Sequence, residues 1–89
     1  MRAVISVIGK DRVGIIAAVS RILADANVNI LDISQTIMQE IFTMVMLVEI
    51  SQANISFPKL SEDLKNLGLD LGLSIQIQHE DIFNSMHRI

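Results

Sequence analysis

The stretch "ISVIGKDRVGIIAAVSRILADANVNILDIS", Ile5 to Ser34, changes its hydrophobic period twice. Counting from Ala3, residues Ala3, Ile5 and Val7 fall on one face and Val4, Ser6 and Ile8 on the other, the period of a strand. Gly9 ends it. From about Val13 to Ala26, residues Ile15, Val19, Ile22, Leu23 and Ala26 recur at spacings of three and four, the stripe of an amphipathic helix. Asn27 suits a left-handed cap just past the helix end. Beyond it Leu31, Ile33 and Ile37 share one face and Asp32, Ser34 and Thr36 the other, which predicts a strand with one side in water.

Working outward, Gln39 and Glu40 make the next turn, and Phe42, Met44, Met46, Val48 and Ile50 then alternate along a third strand. Its methionines read as packing, since Met fills irregular cores. Pro58 fits a first helical turn, Leu60, Leu64, Leu67 and Leu71 mark the face of that helix, and Gly72 closes it. A fourth strand follows, with Leu73, Ile75 and Ile77 inward and Ser74, Gln76 and Gln78 outward. The tail "EDIFNSMHRI" predicts a short helix over about 81–88, capped by Asp81, with Ile82, Phe83, Met86 and Ile89 on one side.

This order of elements, joined by two right-handed crossovers, predicts an α/β (α+β) fold of ferredoxin-like type. It is a βαββαβ sandwich with a four-stranded antiparallel sheet in the order four-one-three-two, both main helices on one face and the second strand at an edge. Val4, Ile8, Ile30, Val45 and Leu47 are expected on the other face, as an apolar patch for the terminal helix or a partner. With no linker or repeat in the sequence, residues 1–89 read as a single domain.

Chains of 89 residues bury only about 60 to 65% of the surface they expose when unfolded. Since 51% of the residues are hydrophobic, part of that material is expected in a subunit interface, and the chain reads as a homo-oligomer. The sequence contains no cysteine, which removes disulfides, thiolate nucleophiles and zinc-thiolate sites and fits a reducing compartment. A cytoplasmic location is therefore expected. The apolar run at the N-terminus is too short for a membrane span or a signal segment. A net charge of −3 and 3% aromatics argue against nucleic acid as a partner.

Between the first strand and first helix lies "GKDRVGI", Gly9 to Ile15. A helix N-terminus carries about half a positive charge and attracts carboxylates and phosphates. Asp11 suits that end as a cap. Arg12 does not, because a cation beside the positive pole costs about 0.3 to 1 kcal/mol unless an anion answers it. Gly14 permits close backbone approach, by a ligand or a neighbouring strand. On these residues alone two readings stand: a plain capped turn with a solvated Arg12, or a site for an anionic group.

The motif weights the second. The pattern of a strand, a G-x-D-R-x-G-I turn, a helix ending near an Asn, and "VNI" opening the next strand resembles the ACT domain family, small regulatory ligand-binding domains attached to enzymes of amino-acid metabolism or standing alone. The likeness runs in motif detail to about Ser34 and in element order over nearly the whole chain. The ending "IQIQHEDIFNSMHRI" is similar to that of a stand-alone bacterial subgroup related to the regulatory protein of the glycine cleavage system.

The resemblance implies a regulatory module that binds an amino acid or similar metabolite at the first turn, in a side-by-side homodimer. The turn then contributes Asp11, Arg12, Val13, Gly14 and Ile15, and the start of the neighbour's second strand contributes Asn29, Ile30 and Leu31, with Asn29 weighted most. No catalytic residue, metal or cofactor is implied, and the protein that receives the signal is not named by the chain. The chemistry agrees with a zwitterion: amides near Gly14 and Ile15 donate to an α-carboxylate, while Asp11 or the Asn29 carbonyl oxygen accepts from an α-ammonium. Arg12 orients Asp11 or bridges to the other subunit.

Three rivals share the fold. An acylphosphatase cradles phosphate in its first turn, but Asp11 would repel that anion, the glycine cradle is not reproduced, and no general acid or base is evident. Heavy-metal carriers require a Cys-x-x-Cys, and His79, Glu80 and His87 do not form a familiar ligand spacing. A ligand-free dimerisation module remains the strongest alternative, since surplus apolar surface serves a protein partner equally well.

Overall fold

The computed structural model describes residues 1–82. Strands β1 (Arg2–Lys10), β2 (Asn29–Met38), β3 (Ile41–Glu49) and β4 (Leu73–His79) alternate with helices α1 (Ile15–Asp25) and α2 (Phe57–Leu71) in the order βαββαβ. The sheet runs β2-β3-β1-β4, and every neighbouring pair is antiparallel. This is the ferredoxin-like topology that the periodicities predict.

The core lies between the sheet and the two helices. Ala3, Ile5 and Val7 of β1 and Phe42, Met44, Met46 and Val48 of β3 point into it, met by Ile15, Val19 and Leu23 of α1 and by Leu60 and Leu64 of α2. Met44 and Met46 are fully buried, so they pack as expected. Gly68 of α2 lets the helix close on β4, because a Cβ there would stand 2.6 Å from the Leu73 carbonyl oxygen. No polar or charged residue is buried among the described residues.

Local chemistry sets the element ends. The Ser56 hydroxyl accepts the Lys59 N–H at 3.3 Å and caps α2, which has Pro58 in its first turn and ends at Gly72, φ 71°. At the end of α1, Asn27 is left-handed at φ 59°. Its N–H reaches the Ala24 carbonyl at 3.1 Å, and that of Val28 reaches Leu23 at 2.9 Å. These two bonds form a Schellman motif, with buried Val28 and Leu23 as its apolar pair.

Four expectations are corrected. Helix α1 begins at Ile15, and its N-cap is Gly14 rather than Asp11, without any side-chain cap. The Asp11 N–H instead donates to the Glu40 carbonyl at 2.7 Å, which pulls the residue out of the cap position. No neighbouring strand approaches Gly14, since no protein atom lies within 4 Å of where its Cβ would be; its φ of 94° is what calls for glycine within the chain. Finally, the β2–β3 register slips between Ile30 and Asp32, leaving Leu31 unpaired. That bulge turns Ile30, opposite Val48, toward the core and not the far face.

Past Ile30, the helices leave strand β2 largely uncovered. Ile33 and Ile37 face the helix side, opposite Met46 and Phe42, yet are 40% and 56% exposed. On the far face Val4 is buried, Val45 and Leu47 are half-buried, and Ile8 is exposed. A helical turn begins at Glu80 and continues through Ile82, whose side chain is exposed; Phe83, Met86, His87 and Ile89 lie outside the described residues.

Candidate functional site

The loop after β1 is built from two unusual backbone features that meet. Gly14 ends the loop in the left-handed region, which turns the chain sharply into α1. Across from it, Gln39 and Glu40 connect β2 to β3 as a two-residue hairpin with φ of 48° and 73°, a type I′ turn made without glycine. The bond from the Asp11 N–H to the Glu40 carbonyl joins the two turns.

The N-terminus of α1 is bare. Gly14 accepts the first helical bond, from Ala18 at 2.9 Å, but no side chain caps the preceding N–H groups and no acidic residue stands in the first turn. Those N–H groups and the positive end of the helix dipole therefore face solvent. Asp11, Arg12 and Gly14 are exposed, and Val13 is 100% exposed, an apolar side chain set fully in water. Ile15 is buried beneath them, as the first anchor of the helix. Neither the Asp11 carboxylate nor the Arg12 guanidinium has an ion-pair partner among the described residues.

The second group of expected site residues is elsewhere in the protomer. Asn29 pairs with Glu49, which also pairs with Arg2, whereas the loop follows Lys10, which pairs with Ile41. Arg2 and Lys10 are the two ends of β1, and at about 3.3 Å per residue they stand roughly 26 Å apart. Asp11 to Ile15 are thus brought together, as are Asn29 to Leu31, but one chain does not unite the two groups. Asn29 and Leu31 are exposed and Ile30 is half-buried.

Other titratable groups at the Asn29 end have structural partners. Glu49 accepts hydrogen bonds from the N-terminal ammonium at 2.7 Å and from Ser51, and these hold its carboxyl down from the ordinary 4.5 to about 2. Arg2 pairs with Glu80 at 2.7 Å, and the His79 ring stacks on Phe57 with centroids 4.3 Å apart.

A family model described as the ACT domain matches residues 2–78, nearly all of the chain. The chain belongs to the ACT domain family. This ACT domain is 61% identical over 89 residues to the UPF0237 protein of Clostridium acetobutylicum, covering 100% of both. It is similar to a solved ACT domain protein from Streptococcus pneumoniae, with a TM-score of 0.80, 42% identity and 93% of each chain covered. A structure assigned as a glycine cleavage system transcriptional repressor matches 86% of this ACT domain and 44% of its own chain, at 28% identity and a TM-score of 0.73. The shared fold is that of a regulatory ligand-binding module. Sequence reasoning missed the link between Asp11 and Glu40, because it joins main-chain groups far apart in sequence and leaves no mark on residue type.

Proposed function

We propose that this protein is a regulatory module that binds an amino acid or a related small metabolite between two copies of itself. The observation that carries the reading is the uncapped N-terminus of α1, which offers main-chain donors to a carboxylate beside an exposed Asp11 that suits an ammonium.

Edge pairing supplies the missing half. Antiparallel pairing of β2 with its symmetry mate over its full length sets Asn29 of one protomer opposite Met38 of the other. Met38 leads directly into the Gln39–Glu40 turn, which is bonded to Asp11. Asn29, Ile30 and Leu31 of one copy thereby approach Asp11 to Ile15 of the other, and two equivalent sites form about one axis. The exposed Leu31, Ile33, Ile37 and Met38 supply apolar surface for that junction.

A thermal-shift screen over the amino acids, with sedimentation of the same samples, tests the proposal. Selective binding raises the melting temperature of a dimer. A monomer at micromolar concentration overturns the shared site. A dimer with a flat screen favours the second reading, a ligand-free dimerisation module, for which the exposed apolar residues of β2 suffice. Cytoplasmic location belongs to the same proposal; no helix among the described residues is long and apolar enough to cross a membrane.

A further inference from the structure

Strand β4 forms the sheet edge opposite β2. In an antiparallel ladder both main-chain groups of a residue point to the same side, so every second residue of β4 turns its N–H and C=O away from β1. Along this edge runs a groove of about 540 Å³, bounded by β4 on one side and by Ser61, Lys65 and Leu69 of α2 on the other. Those three residues are four apart and line up on one face of the helix. Leu69 is 71% exposed. Among the described residues, Lys65 is the only charged one lining the groove, and it has no ion-pair partner.

We propose that this groove receives an extended acidic segment of a partner protein, which joins the sheet as a strand beside β4. The open ladder supplies affinity independent of side chains, Leu69 covers an apolar residue of the segment, and Lys65 selects a carboxylate. The same lysine disfavours a second copy. Antiparallel pairing of β4 with itself about Gln76 would place the middle residue of the α2 row, Lys65, against its own symmetry mate, a like-charge contact at the centre of the interface. The inference is independent of the ligand reading, which uses the other edge.

The test is a titration of the isotopically labelled full chain with a blocked peptide alternating valine and glutamate over the length of β4, read by amide chemical shifts. A peptide alternating valine and lysine is the control. The expected result is a response along Leu73–His79 and at Lys65 and Leu69 that favours the acidic peptide. Lys65→Gln should weaken that binding about two- to fivefold, the scale of one surface ion pair, and Lys65→Glu should reverse the preference. Lys65 is exposed, so neither variant disturbs the core. No response on β4 at millimolar peptide, or an equal response to both peptides, overturns the proposal. So do β4 amide shifts on simple dilution of the free protein, which would show a second copy on that edge.

Discussion

Gly14 sits at φ 94° with open space where a Cβ would be, so its substitution is limited by backbone strain alone. Gly14→Ala should lower stability by about 1 to 2 kcal/mol, the cost of placing an L-residue in the left-handed region, as read by equilibrium unfolding. Asp11→Ala should stay within about 0.5 kcal/mol of the parent, because the carboxylate caps nothing and the residue's structural bond is made by its main-chain N–H. A loss near 1 kcal/mol would restore Asp11 as a cap. Asn29 is exposed at the start of β2, so Asn29→Ala should leave the melting curve in place. Calorimetric titration with an amino acid identified by the screen should show about ten- to a hundredfold weaker binding, the value of a hydrogen bond to a charged group.

At the scale of elements, β2 is the strand whose residues have the least to hold them within one chain: from Leu31 to Met38 every side chain is exposed. Ser34 lies near its midpoint, where an antiparallel symmetric pair brings like positions together. Ser34→Lys should therefore turn the proposed dimer into a folded monomer, seen by sedimentation with an unchanged far-ultraviolet spectrum. Strand β3 ends in a different dependence, on acid. The Glu49 carboxyl is lowered to about 2, first by its hydrogen bond from the N-terminal ammonium and then by Ser51. Since the folded value lies below the ordinary 4.5, its contribution is complete above that value and is lost as pH falls toward 2. Carbon-detected titration should find the low value in the parent and a higher one in Ser51→Ala.

For the molecule as a whole, one core between sheet and helices carries the stability, and α2 divides sharply by face. Leu64 is fully buried and Leu69 is 71% exposed on the same helix. Leu64→Ala should cost about 2 to 5 kcal/mol in urea unfolding, whereas Leu69→Ala should fall within about 0.5 kcal/mol. Comparable losses would mean that the face assignment is wrong. The elements themselves were legible, because each buries one face and so must repeat its apolar residues at 2 or 3.6: β1, β3, β4 and the leucine row of α2 are written that way. The left-handed caps at Asn27 and Gly72, Pro58 in the first turn of α2 and the turn before Ile15 were legible too, since few residue types suit those positions, whereas the Ser56 cap was not read. The far-face place expected for Ile30 was wrong because a bulge of one residue reverses the alternation, and no residue type announces it. The Asp11 cap failed for a related reason: Glu40 competes for that residue through a main-chain bond between turns that only folding brings together. The amino-acid sequence by itself thus determined the order of elements, their inward faces and the family to which the chain belongs, all properties set by neighbours along the chain. Tertiary structure alone decided that Asn29 and the first loop stand at opposite ends of the sheet and that β2 and β4 are its edge strands. Strand pairing joins residues distant in sequence, and its register and direction are fixed only when the sheet has closed over the core.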